Sequence, residues 1–174
     1  MSRQYFGDVL VEPIGVSHPT ITATTITPLV PVAYCPIPAF DIRPGKVYEL
    51  TVGGSITTGT AGTITLTALM NAVSIGAGPA QNYVPSITTA PFLGRFYVIC
   101  RGPMGLAGAT TPVVVTGKLE AGGAVATASS QTSVALNVGP VNIDTTIAQT
   151  FNLSVTVSVA PSIIPFWHCW RSLN

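Results

Sequence analysis

The chain has 174 residues, seven basic and six acidic, for a formal net charge of +1; a typical soluble chain of this length carries roughly 43 charges. With no cluster of Lys or Arg it lacks the electrostatic footprint of a nucleic-acid binder, and at 47% hydrophobic residues it is the opposite of a disordered chain. A folded monomer of this size exposes roughly 8,000 Å², so Ser, Thr and Asn must carry the solvation, or other chains must cover much of the surface.

The N-terminal residues, Met-Ser-Arg-Gln-Tyr-Phe-Gly-Asp, contain no apolar run after a basic start, so no secretory leader is expected. No window anywhere reaches about 18 uninterrupted apolar residues, so no membrane span is expected either. Residues 1–39 hold Pro13, Pro19, Pro28, Pro31, Pro36 and Pro38 among Thr-rich and Val-rich segments. Proline removes a ladder donor, which argues against a central strand here. The pattern predicts an extended arm that could span roughly 100 Å if stretched. Ile14, Val16, Ile21, Ile26, Leu29, Val30 and Val32 make that arm too apolar to float in water. It is expected to lie against another subunit or a partner.

From residue 40 onward the pattern has period two. Residues 46–52 alternate and set Tyr48, Leu50 and Val52 on one side; Gly62–Met70 does the same with Ile64, Leu66, Ala68 and Met70. Further strands are expected over 95–101, 113–120, 132–137, 151–159 and 163–173. In 151–159 the odd positions are all apolar and the even ones small and polar, which predicts one buried and one wetter face. Gly53-Gly54, Gly76-Ala77-Gly78-Pro79, Gly102-Pro103-Met104-Gly105 and Gly122-Gly123 punctuate the run as turns. The fold class is therefore all-β: an antiparallel, jelly-roll-like sandwich of about eight strands over residues 40–174, with the extended arm before it. No Cys-Trp-Cys spacing supports an immunoglobulin-like sandwich instead.

Catalytic equipment is sparse. No G-x-S-x-G elbow is present, and neither His18 nor His168 has an acid in a known local signature. His168 and Cys169 are adjacent, but neighbours on a strand point to opposite faces and would not meet as base and nucleophile. Asp8, Glu12, Asp41, Glu49, Glu120 and Asp144 do not pair in sequence, and no ligand spacing suits a zinc site. The glycine-rich turns lack the G-x-x-x-x-G-K-[ST] of a phosphate loop. Asn152-Leu153-Ser154 matches a glycosylation sequon but falls in mid-strand. Cys35, Cys100 and Cys169 are odd in number and widely spaced, which suits reduced thiols made in a cytosol. No enzyme, cofactor or metal is expected.

Two apolar stretches invite contact with another chain. Residues 102–111 would expose Met104 and Leu106 in a connection between strong strands. The C-terminal run Pro165-Phe166-Trp167-His168-Cys169-Trp170 is apolar on both faces, as a central strand or an interface strand would be. The expected contact residues are thus Ile14, Val16, Ile21, Ile26, Leu29, Val32, Met104, Leu106, Phe166, Trp167 and Trp170.

Several segments carry a resemblance. Residues 37–50, Ile-Pro-Ala-Phe-Asp-Ile-Arg-Pro-Gly-Lys-Val-Tyr-Glu-Leu, and the Thr-rich start of Gly62–Met70 resemble the opening strands of small jelly-roll virion proteins of tailed bacteriophages. Ala90-Pro91-Phe92-Leu93-Gly94-Arg95-Phe96 and Asp144-Thr145-Thr146-Ile147-Ala148-Gln149-Thr150-Phe151-Asn152-Leu153 resemble later segments of that family, in the same order. The bulky end 166–170 and the Pro-rich arm depart from it. The resemblance implies a homotrimer on the virion surface, a capsid decoration or cement protein made in the host cytoplasm. Its partner would be the major capsid protein, with no nucleic acid and no membrane. Cementing would help the shell resist the pressure of packaged DNA, with three arms on one trimer acting as a multivalent clamp. The alternative is a tail-associated or glycan-binding, receptor-binding trimer. Such a protein would need exposed aromatics at loop tips, for which Tyr83 is the candidate.

Overall fold

The computed structural model describes residues 9–11, 20–22, 24–31, 34–83, 85–102, 110–122, 131–159 and 161–173. Its strands are β1 (Val9–Val11), β2 (Thr27–Pro28), β3 (Pro36–Ile37), β4 (Val47–Thr57), β5 (Gly62–Met70) and β6 (Val73–Ala77), followed by β7 (Gln81–Tyr83), β8 (Ala90–Cys100), β9 (Thr110–Gly122), β10 (Gln131–Asp144), β11 (Gln149–Val157) and β12 (Ser162–Ser172). They form an all-β sandwich of two antiparallel sheets. The larger runs β1-β12-β4-β8-β9-β10; the smaller runs β2-β11-β5-β6, with β3 also on β11 and β7 also on β5.

The pairing is nested. β4 pairs with β12 in one sheet and β5 with β11 in the other, so early and late strands close around the middle of the chain. That nesting is the jelly-roll-like part of the topology. Strands β8, β9 and β10 instead run as a meander within the larger sheet. Period-two alternation explains the layers. Tyr48, Leu50, Val52 and Ile56 of β4 and Phe92, Phe96 and Val98 of β8 face Ile64, Leu66 and Ala68 of β5 and Phe151, Leu153 and Val155 of β11 across one core.

Trp170 ties the layers together. Its indole stacks on Tyr48 of its own sheet (5.3 Å, 4°) and on Phe151 of the opposite sheet (5.5 Å, 15°). Its Nε1–H donates to the Pro36 carbonyl at 2.9 Å, satisfying the one polar atom such a ring buries. Burial, then a hydrogen bond donated to the Asp41 carboxylate, raise the Tyr48 phenol far above its ordinary value.

The described part of the N-terminal segment is stitched into this same sandwich. β1 adds to the edge of the larger sheet at β12, while β2 and β3 both cap the β11 edge of the smaller one. Ile21 exchanges two backbone hydrogen bonds with Ile163 (2.8 and 3.0 Å). Ile21, Leu29, Val30, Cys35 and Ile37 are buried. The described pieces of residues 1–39 thus pack on the sandwich formed by the residues after them. An open sheet edge is a row of unpaired donors and acceptors, and this chain covers it with two-residue pieces that each include a proline, Thr27–Pro28 and Pro36–Ile37.

Two turns set the connections. Asn71 and Ala72 join β5 to β6 with φ of +49° and +64°, the double left-handed turn that suits a two-residue hairpin. The crossing from β10 to β11 is fixed by Asp144, whose Oδ1 accepts from the Thr146 amide (2.8 Å) and hydroxyl (2.7 Å). The hydroxyl bond first, then the amide bond, hold that carboxyl below its usual range. The Asp-Thr-Thr segment that carries part of the resemblance is thus a sheet-to-sheet turn.

The expected alternation of 151–159 holds on its apolar side as far as Val157, where the strand ends; Val159 is exposed. On the other side, Asn152 and Ser154 are buried too. They line a cavity of about 150 Å³ together with Ile26, Pro28, Leu69 and Ala72, so the N-terminal segment covers part of the face expected to be wet.

Candidate interaction surface

The structure sorts the expected contact residues into three groups. Ile21, Leu29 and Trp170 lie in the chain's own core at 0% exposure and present nothing to another subunit; the apolar pattern that marked them is satisfied internally. Ile26, Phe166 and Trp167 are exposed, Phe166 the most at 61%. Ile14, Val16, Val32, Met104 and Leu106 lie outside the described residues. Tyr83 is a correction as well: its ring is buried and its hydroxyl donates to the Val159 carbonyl at 2.9 Å, so it is no loop-tip ligand contact.

His168 faces inward, edge-on to the Tyr34 ring at 5.7 Å, while Cys169 lies on the opposite face beside Thr51. No disulfide joins Cys35, Cys100 and Cys169, and burial pushes the Cys35 thiol far up and the Cys100 thiol up as well. Among the described residues there is no group of three metal-ligating side chains and no helix long and apolar enough to cross a membrane.

The exposed chemistry gathers on the outer face of the larger sheet. The register aligns it in transverse rows across β12, β4, β8 and β9. The first row is Trp167, Gly53, Leu93 and Glu120. A Cβ on Gly53 would come within 2.6 Å of the Trp167 ring, so the indole lies flat on the glycine and is still 47% exposed. A register shift between Pro165 and Trp167 puts both Phe166 and Trp167 on the outside, where strict alternation would have hidden one.

The next two rows are charged. They read Cys169, Thr51, Arg95 and Lys118, then Arg171, Glu49, Tyr97 and Thr116. Glu49 is only 2% exposed although it sits on an outer face. Two guanidiniums roof it: Arg95 Nε contacts Oε1 at 3.2 Å, and Arg171 donates to Oε2 through Nε and Nη2. Both arginines remain about half exposed. Lys118 pairs with Glu120 at 2.5 Å, both exposed. The fourth row is apolar again. The Leu173 amide bonds to the Val47 carbonyl, Val47 pairs with Ile99 and Ile99 with Val114, the last three half-buried. The face is a charged waist between two largely apolar ends, with Glu120 at the β9 side of the first.

Sequence reasoning found Phe166 and Trp167 but missed Glu49, Arg95, Leu93 and Arg171. Their one local signal is the outward parity of Glu49 in an alternating strand, and nothing local says which strands flank it. Compared with known protein families, curated proteins and solved structures, the chain matches none.

Proposed function

We propose that the protein is a structural virion component: a capsid decoration protein of a tailed bacteriophage that forms trimers on the head and stabilises the shell by bridging capsid subunits. The observation that carries this reading is the outer face of the larger sheet. There Trp167, Phe166, Leu93 and Leu173 stand exposed on a chain with only thirteen charges to keep it apart from its neighbours. A surface so composed suits a protein that works while covered by others. The segment resemblances at 37–50, 90–96 and 144–153 point the same way. Since Ile21 and Leu29 are spent on the chain's own core, bridging falls to exposed faces and to residues outside the described set.

Antibody-gold labelling of intact particles tests this. Gold scattered over the whole head is the expected result. Gold confined to the tail or its tip would replace the reading with a tail-associated, receptor-binding one.

A further inference from the structure

We propose that the outer face of the larger sheet is the docking face of this protein, and that its partner there is a shell protein surface bearing carboxylates between apolar shelves; this rests on the decoration reading above. Three features of the face select that partner. Its exposed charged side chains are Arg95, Arg171 and the Lys118–Glu120 pair, three cations to one carboxylate, because Glu49 is buried beneath the two guanidiniums. Arg95 meets Glu49 through Nε at 3.2 Å, and its side chain stays 55% exposed. A guanidinium held this way is already oriented, so it loses little further freedom on meeting a second carboxylate.

The flanking rows decide the class of partner. Leu93, Leu173, Val47, Ile99 and Val114 are aliphatic, and they accompany Trp167 and Phe166. Aromatic and arginine side chains beside aliphatic surface are the composition of protein interfaces. A second copy of this chain is a poor occupant, because apposing two such faces sets arginine against arginine, and like charges across an interface cost affinity.

Size sets the strength. Four rows about 7 Å apart on four strands about 4.8 Å apart give a patch of roughly 500 Å², below the ~800 Å² that each partner gives a stable interface. One copy therefore binds weakly, and copies joined in a trimer bind together with a large gain in avidity.

The test is rebinding of the purified full-length protein to shells stripped of it, scored as copies bound at about 0.1 M and about 1 M salt, where screening shortens to about 3 Å. The variants are Arg95→Gln/Lys118→Gln, which leaves Arg171 on Glu49, and Phe166→Ser, at a largely exposed site. Val73→Ser, exposed on the smaller sheet, is the control. The expected result has three parts: the charge variant binds about tenfold more weakly than wild type at low salt, the two converge at high salt, and Phe166→Ser is weakened at both. The control should bind as wild type does. If both test variants fill the shells like wild type, the docking face lies elsewhere and only the decoration reading survives. If wild type binds no shell, both fall. Capture by an acidic polysaccharide such as polygalacturonate, lost in the same variants while shells bind nothing, would make the face a sugar site and overturn the proposal.

Discussion

The two outer faces of the sandwich are built from the same alternating strands and share one core, yet they differ in kind. The outer face of the larger sheet carries Glu49, buried beneath Arg95 and Arg171, with Lys118, Glu120, Trp167 and Leu93 exposed beside them. The smaller sheet turns Thr63, Thr65, Thr67 and Leu69 of β5 and Thr150, Asn152, Ser154 and Thr156 of β11 away from the core, with no charge among them and with Thr67, Asn152 and Ser154 buried. Among the described residues, five of the chain's thirteen charges lie on one face and none on the other. The lesson is that scarcity makes position informative. On an ordinary protein an Arg-Glu-Arg ladder is one of many; here it sets one outer face apart from the other.

The two faces belong to one body because the core couples them, and Trp170 is the place to break that coupling. Its indole is stacked between Tyr48 of one sheet and Phe151 of the other. Trp170→Ala should cost about 3–5 kcal/mol, the usual loss for emptying a large aromatic site. A fall in the denaturant midpoint at unchanged slope would show it. Trp167→Ala, three residues away on the outside, should cost under about 1 kcal/mol, since only its contact with Gly53 and neighbouring surface is lost. Equal losses for the two variants would mean that Trp167 is as structural as Trp170.

A smaller effect probes the charged face itself. Glu49 is a carboxylate at 2% exposure whose burial is tolerated because Arg171 hydrogen-bonds to it and Arg95 pairs with it. Arg171→Ala should cost about 2–3 kcal/mol. That is less than the ~3–5 kcal/mol for stripping a fully buried ion of its partner, because Arg95 remains. Replacing both Glu49 and Arg171 with Met should recover most of the loss, since two well-packed apolar side chains need no counter-charge. If Arg171→Ala is silent in thermal and chemical unfolding, Glu49 finds water, and the ladder is less fixed than its geometry implies.

How far the sequence foretold this contrast depends on the range of the cause. The strand Gly62–Met70 is read correctly to the residue, because alternation of Ile64, Leu66, Ala68 and Met70 is written in the strand itself. The same rule fails at Phe166 and Trp167, where a bulge against Gly53 and Gly54 breaks parity. In the N-terminal segment the prolines point to an arm, and its described pieces Thr27–Pro28 and Pro36–Ile37, each with a proline, cover the β11 edge. The charged ladder was illegible for a different reason. Glu49, Arg95 and Arg171 meet through strand order β12-β4-β8, which no local pattern encodes.

The smallest effect lies on the uncharged side, in the hairpin that joins β5 to β6. A two-residue turn of this kind needs positive φ at both central positions, and Asn-Gly is its preferred pair. Asn71 suits the first position at +49°, and its Oδ1 accepts from the Thr150 amide at 2.7 Å. Ala72 occupies the second at +64°, where its Cβ crowds the backbone at a cost of about 1–2 kcal/mol. Ala72→Gly removes that crowding but gives the unfolded chain about 0.4–1 kcal/mol of extra freedom. Ala72 is exposed, so little packing is lost. The net expectation is a gain of about 0.5 kcal/mol, a rise of one or two degrees in Tm for a domain of this size. Docking to shells should be unchanged, because the hairpin is on the smaller sheet. A loss of stability would mean that the Ala72 methyl packs usefully over the Asn152 cavity, making this face more than a polar cover. A loss of docking would move part of the recognition surface to the side that carries no charge.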